Sequence, residues 1–477
     1  MKRYTLFYIL FFCVCTLHAQ QDPVRNNTVE RTVNDTLRQD TATQKSKLEK
    51  YLDAGREILS SDTENKDSVL VSVIPGDKEK IAKVAKVALP AASIIGSAVG
   101  LPFMGALAAA KKVSAVKKVY EEKVPDEIKD EISSQIKDTK EKASQALKEV
   151  MKETKDEVKL LSSADLSEWK MPSANYSGIV PLGNNDYAVV DDKSASGGFY
   201  VFHIDIDSVS GKVISVSRSA FKGMTEPSKE DCEDIVYLPQ CQSVWIASEA
   251  NQTISEYSMD GALTGRELEI PIMFSKDSID ANRGFESLTY APDSNKFYTT
   301  TEGALPYDGK TSDDREPLRI VCFDSTMMAC AQWAYLMEKP ALKTNAKHYV
   351  HGVPAILALG SNQMLVMERE LSVPNNNIGA KTVIRLFWVD LDDLPPLDDE
   401  AVSLKSLPAE RYLPKMEICS FTTSISLSRL NFANFEGMCL GPQLSDGRQT
   451  IILISDSQNG MGNSLYHLKD YIKVIIL

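Results

Sequence analysis

From Tyr176 onward, apolar and polar positions alternate in short runs rich in β-branched and aromatic residues, broken by Asp, Asn, Gly and Pro turns. Within these runs a two-strand unit returns. An apolar strand opens on an acidic or small residue, and a second strand ends on a carboxylate. Ser177-Gly178-Ile179 precedes Val189-Val190-Asp191-Asp192, and Glu233-Asp234-Ile235 precedes Ile246-Ala247-Ser248-Glu249. Phe285-Glu286-Ser287-Leu288 precedes Thr300-Thr301-Glu302-Gly303, and Phe435-Glu436-Gly437-Met438 precedes Ile454-Ser455-Asp456. Leu365-Val366-Met367-Glu368-Arg369-Glu370 keeps the second half alone. Such repeats predict the blades of an all-β propeller over 176–477. Five blades are visible, at about 176–218, 231–271, 284–337, 352–421 and 434–477, and the long insertions leave room for a sixth. A strand near Trp169 is expected to close the ring and remove the open sheet edge.

The texture upstream is different. Residues 76–161 predict an α-helical segment preceding the propeller, and residues 20–75 a flexible polar leader. Residues 87–110 carry no charge over 24 positions, between Lys83, Lys86 and Lys111, Lys112. That length suffices for a membrane span, and Ala92, Gly96 and Gly100 have the spacing that lets helices approach closely. Pro90 and Pro102 interrupt the stretch, so a helical hairpin packed on itself or on a partner stands beside the span. Across 113–161, Ile128, Ile132, Ile136, Leu147, Val150, Val158 and Leu161 fall near a three-to-four spacing. They predict an amphipathic helix, either an oligomerising stalk or a solvated helix lying on the propeller. At the start, Lys2 and Arg3, the apolar run from Leu6 to Leu17, and Leu17-His18-Ala19 read as a signal peptide over 1–19. Its cleavage predicts export to the periplasm, the cell surface or the medium.

The formal charge is −13, and loss of Lys2 and Arg3 takes it to −15. That balance excludes nucleic acid as a partner, since its binding rests on basic patches, and suits a protein that holds cations. An exported chain meets oxidising conditions. Cys322 and Cys330 flank a hairpin turn at Asp324-Ser325-Thr326, Cys232 and Cys241 flank Pro239-Gln240, and Cys419 and Cys439 remain. Local disulfides and six thiols both stay open.

Rotation about one axis turns a recurring carboxylate into a cluster. The candidate metal ligands are Asp191, Glu233, Glu249, Glu286, Glu302, Glu368, Glu436 and Asp456. Crowded carboxylates repel, so a proton or a counter-ion must enter. An oxygen-only set suits Ca²⁺ or Mg²⁺, whereas zinc prefers histidine and cysteine. Arg283, Arg369 and Arg385 are candidates to grip phosphate oxygens through their planar forks; the alternative is that they pair with the carboxylates as structural salt bridges. There is no Gly-x-Ser-x-Gly elbow for a serine esterase.

These motifs resemble a known family, the phytase-like domain described as having esterase-like activity of phytase, over about residues 176–477. Asn282-Arg283-Gly284-Phe285-Glu286 resembles its Asn-Arg-Gly-Phe-Glu-Gly segment, and Met367-Glu368-Arg369-Glu370 its Leu-Glu-Arg-Asp/Glu strand end. Asn434-Phe435-Glu436-Gly437-Met438, running into Leu440-Gly441-Pro442, resembles its Asn-Phe-Glu-Gly-Met signature. Departures are Ser287 and Asp234 in place of glycine, Ser177 in place of glutamate, Gly352-Val353-Pro354 opening the fourth blade, and Lys193 where the family often has arginine. The resemblance implies a secreted, metal-dependent propeller acting on a small phosphate or carboxylic ester. Glu286, Glu436, Arg283 and Arg369 would then be catalytic. The alternative reading is a non-catalytic binding module of the cell envelope, displayed on a helical or membrane-anchored stalk.

Overall fold

The computed structural model describes residues 158–477 apart from 225–229, 281, 343, 361, 376, 399–401, 427–428 and 464–465. The signal, the leader, the apolar stretch 87–110 and most of the predicted helix lie outside the described residues.

Five antiparallel blades follow one another along the chain. Blade 1 is Tyr176–Gly183, Asp186–Asp191, Gly198–Ile206 and Val213–Arg218, and blade 2 is Cys232–Leu238, Ser243–Ser248, Thr253–Ser258 and Leu263–Glu267. Blade 3 is Phe285–Ala291, Lys296–Thr301, Pro317–Phe323 and Ala329–Leu336. Blade 4, with the longest strands, is His348–Ala358, Gln363–Val373, Lys381–Asp390 and Lys415–Ser426. Blade 5 takes Asn434–Gln443, Gln449–Asp456 and Tyr471–Ile476 from the C-terminus. Among the described residues there is no α-helix, only short 3-10 turns, and no sixth blade. The first strands pack on one another in sequence, and that of blade 5 packs back on that of blade 1, so five blades close the ring.

The N-terminal side completes blade 5. Lys159–Leu160 pairs with Ile475 and Ile476, and Ala164–Asp165 pairs with Tyr471 and Ile472. Trp169 itself lies in a 3-10 turn just after these strands. Where the sequence predicts helix up to residue 161, Lys159 and Leu160 are instead strand, because the bare edge of Tyr471–Ile476 offers their backbone hydrogen-bonding partners.

The core lies between neighbouring blades. Tyr176, Phe202, Ile452 and Ile472 fill the seam of blades 5 and 1; Trp245, Phe285, Phe297 and Phe323 fill that of blades 2 and 3. At the centre the backbones come very close. A Cβ on Gly437 would stand 2.1 Å from the carbonyl oxygen of Ser177, and one on Gly178 would stand 2.5 Å from Cα of Asp234. Glycine at these positions lets adjacent first strands touch.

Candidate functional site at the ring centre

Each blade carries one extra residue in its first strand, at the same place. The register against the second strand shifts between Tyr176 and Ile179, Cys232 and Asp234, Phe285 and Ser287, Gly352 and Ala355, and Phe435 and Gly437. In blades 2, 3 and 5 the extra residue is a glutamate: Glu233, Glu286 and Glu436. A bulge releases one residue from the ladder and re-aims its side chain, which is how a strand otherwise committed to the core delivers a carboxylate to the centre.

The same register aligns the second strands. Backbone N–H groups of Asp192, Glu249 and Glu302 donate to the carbonyls of Asn175, Asp231 and Gly284, at 3.0, 2.9 and 2.8 Å. Asp456 and Glu370 occupy the matching positions opposite Asn434 and His351. The equivalent carboxylates are thus Asp192, Glu249, Glu302, Glu370 and Asp456. Asp191 lies one residue short of this set and accepts from the Lys193 N–H at 3.2 Å.

Two overlapping triads result. Carboxylate oxygens of Glu233, Glu249 and Glu286 all lie within 4.8 Å of one another, as do those of Asp192, Asp231 and Glu233. The second triad has a resident cation, since Lys193 Nζ stands 2.8 Å from Asp192 and 2.7 Å from Asp231. Around the first triad, Ser177 Oγ donates to Glu233 at 3.1 Å, and the Gly284 N–H donates to Glu249 at 2.8 Å. On the far side Arg369 of blade 4 bonds Glu302 of blade 3 and Glu436 of blade 5, and donates to Asn434 Oδ1 at 3.0 Å. Asp456 sits beside this group, turned to its own neighbour Gln458, whose N–H it accepts at 2.6 Å.

Burial sets the electrostatics. Glu233 and Glu286 are held well above the usual carboxylate range, first by desolvation and then by the charges around them, Asp192 and Glu436 for one and Glu302 and Glu233 for the other. Burial also raises Asp192 and Glu249. Glu436 is pushed up to about 8 by burial and Asp456, with Arg369 pulling the other way, and Asp456 to about 7, chiefly by burial. Arg369 and Lys193 do not balance so many carboxylates, so at neutral pH the ring centre holds protons or draws in a cation.

Other expected site residues lie elsewhere. Glu368 and Glu370 share one face of their strand and Arg369 the other, because side chains alternate with a period of two. Glu368 therefore turns from the ring centre to Tyr335 (2.7 Å) and Lys415 (2.6 Å). Glu370 accepts from the N–H groups of Ala341 and Leu342, both at 2.8 Å, and so leaves the cluster too. Arg283 is a clamp: it pairs with Glu316 at 2.7 Å and donates to the His351 carbonyl at 2.9 Å, with Gly303 beneath its guanidinium. Arg385 lies on the outer strands of blade 4, lining a pocket with Arg315, Glu338, Lys339, Phe387, Lys415 and Glu417. The departure at Asp234 is structural. Its carboxylate accepts from the N–H of Ile235 at 2.8 Å and of Leu288 at 2.7 Å, strapping blade 2 to blade 3. Asp192 and Asp231 are the members that the repeat pattern alone leaves out; Asp192 was in view in the pair Asp191-Asp192, and strand register selects it.

The family model for phytase-like proteins, described as esterase-like activity of phytase, matches residues 172–458 of this chain. The chain belongs to that family. Membership points to ester or phosphoester hydrolysis, and the oxygen-only cluster of this phytase-like ring is of a kind that could bind a metal. No curated protein matches the chain. Among solved structures, hydrazine synthase of Kuenenia stuttgartiensis is similar at 9% identity, over 64% of this chain and 64% of that one, with a TM-score of 0.28. The pyrroloquinoline-quinone domain of Coprinopsis cinerea pyranose dehydrogenase is similar at 9% identity, over 67% and 97%, with a TM-score of 0.30. The β-propeller domain of Cps50 from Myceliophteria thermophila is similar at 10% identity, over 64% and 84%, with a TM-score of 0.26. Likenesses this slight add nothing to the assignment, which rests on the blades and the family match.

Proposed function

We propose that this protein is a metal-dependent hydrolase of small phosphoric or carboxylic esters, with a Ca²⁺ or Mg²⁺ held by Glu233, Glu249 and Glu286. The observation that carries this reading is the convergence of three carboxylates from two blades, Glu233 and Glu286 buried and Glu249 half-buried, with no lysine or arginine bonded to them among the described residues. The spacing fits: two oxygens on opposite sides of a Ca²⁺, each at about 2.4 Å, are about 4.8 Å apart. Such an ion would polarise an ester or phosphoryl oxygen and acidify a bound water. Ser177 orients Glu233 and the Gly284 N–H orients Glu249, fixing two of the three ligands. Glu436, raised to about 8, keeps a proton near neutrality and is suited to donate it to a leaving group. Arg369 holds Glu302 and Glu436 in place as a positioning residue.

A second reading has its own support. Arg283 and Arg369 are both engaged by carboxylates and main-chain or amide oxygens, so neither guanidinium is free to grip a phosphate. The cluster would then hold a cation for structure or recognition in a cell-envelope binding module, exported and displayed on a helical or membrane-anchored stalk as the sequence suggests. Assay of the purified full chain with a model phosphomonoester and a model carboxylic ester, with Ca²⁺ and with a chelator, separates the two. Turnover that needs the ion supports the hydrolase. Stoichiometric Ca²⁺ binding without turnover of either ester supports the binding module.

A further inference from the structure

Away from the ring centre, the outer hairpin of blade 3 carries two thiols that face each other. Cys322 lies near the end of Pro317–Phe323 and Cys330 near the start of Ala329–Leu336, and their sulfurs are 3.3 Å apart. The register explains the approach. Cys322 pairs with Ala331 and Phe323 with Ala329, so Cys330 is the extra residue of a bulge, pushed out of the ladder towards Cys322. The turn between them is fixed: Asp324 Oδ1 accepts from the Thr326 N–H at 2.8 Å, and Met327 adopts a left-handed conformation. The two sulfurs are unequal. Cys322 is buried and Cys330 exposed. Sharing a hydrogen bond with Cys322, with Lys296 adding positive charge, brings the Cys330 thiol down to about 7, while Cys322 is raised. The remaining described cysteines, at 232, 241, 419 and 439, are free thiols.

We propose that Cys322 and Cys330 are a redox-active thiol pair that closes to a disulfide by exchange with a small-molecule disulfide. The exposed sulfur attacks first. Cys330 thiolate displaces one thiolate from the disulfide and forms a mixed disulfide; Cys322 then loses its proton, attacks the Cys330 sulfur and expels the second thiolate. The protein loses two protons and two electrons, and the small disulfide takes them up to become two thiols. Geometry favours closure, because sulfurs already in contact on adjacent antiparallel strands need a small side-chain rotation rather than backbone movement.

The consequence reaches beyond the hairpin. Its tip joins blade 2, since Met327 accepts from the Glu269 N–H at 2.9 Å and Met328 bridges to Glu269. Closing the pair stiffens the root of the arm that spans the seam between blades 2 and 3.

The test uses the full chain, purified with reductant, freed of it and incubated with oxidised glutathione. Peptide mass mapping should find the peptide carrying both cysteines lighter by two hydrogens and resistant to alkylation, while exposed Cys241 takes up glutathione. Cys322→Ser should trap Cys330 as a lasting glutathione adduct, and Cys330→Ser should leave Cys322 unmodified. The oxidised wild type should melt a few degrees higher than the reduced form, a gap absent in either variant. The proposal falls if both cysteines still alkylate once Cys241 is fully modified, or if wild-type Cys330 keeps glutathione while Cys322 stays free.

Discussion

Ser177 donates its hydroxyl hydrogen to Glu233 at 3.1 Å, from the bulge position that carries glutamate in blades 2, 3 and 5. Blade 1 thus supplies a donor where its neighbours supply an acceptor. Without it, one more buried carboxylate would meet Asp192, Glu233 and Glu436.

Ser177→Ala should leave Glu233 short of a donor. The cost of an unsatisfied buried group is about 1–3 kcal/mol, seen in urea unfolding in the presence of a chelator. Saturating Ca²⁺ should recover part of it, because a bound cation satisfies the same oxygen. Equal stability of variant and wild type in chelator would remove Ser177 from the account.

Arg369→Met should be far more damaging. Removing one partner of a buried ion pair costs about 3–5 kcal/mol, and here two carboxylates, Glu302 and Glu436, lose their cation together. The loss should be smaller at pH 5 than at pH 8, because Glu436, raised to about 8, carries a proton at the lower pH and sheds it near the higher. A variant equally destabilised at pH 5 and pH 8 would mean that packing rather than charge is responsible.

The ring centre makes a signed prediction about pH. Glu436 at about 8 and Asp456 at about 7 stand above the value near 4 of an unfolded carboxyl, and Glu233 and Glu286 stand well above it. Between about pH 4 and 8 the native state therefore binds more protons, so stability falls as pH rises through that window. Buried His351, whose burial lowers its affinity for a proton, works in the opposite sense, as does Cys330 above pH 7, but they are two groups against the four carboxyls. In chelator, Tm should drop from pH 5 to pH 8, and Ca²⁺ should flatten the drop by replacing protons. A chelator-treated protein that grows more stable over this range contradicts the crowding of ionised groups.

Glu286→Gln and Glu368→Gln should behave differently although both residues belong to the repeat pattern. The first removes a charge from the triad and should weaken Ca²⁺ binding by at least about tenfold in titration calorimetry. The second should leave that affinity unchanged and lower Tm instead, since Lys415 and Tyr335 lose their shared acceptor. Identical effects on affinity would place both carboxylates at one ion.

Much of this was legible before any coordinates. Period-two alternation with turn residues marks all five blades, and the recurrence of an acidic residue after an apolar opening singles out Glu233, Glu286 and Glu436. The direction of a side chain within the second strand was harder to read. Leu365-Val366-Met367-Glu368-Arg369-Glu370 contains carboxylates on one face and a guanidinium on the other, and only pairing with Gly352 and His351 decides which face meets the centre. Asp191 and Asp192 present the same ambiguity, resolved by one hydrogen bond from Asp192 to Asn175. Arg283 reads as a phosphate ligand in the sequence because its planar fork stands three residues before Glu286; its partner Glu316 belongs to an inserted loop whose path no local pattern gives.

The pairing of Lys159–Leu160 and Ala164–Asp165 with Tyr471–Ile476 has a practical side. A chain trimmed to Tyr176, where the repeats begin, would keep every candidate ligand yet present the apolar run Tyr471-Ile472-Lys473-Val474-Ile475-Ile476 as a naked border, ready to recruit the same border of another molecule. The smallest autonomous version of this domain starts some eighteen residues earlier than its recognisable motifs, and shorter versions should be sought in the insoluble fraction.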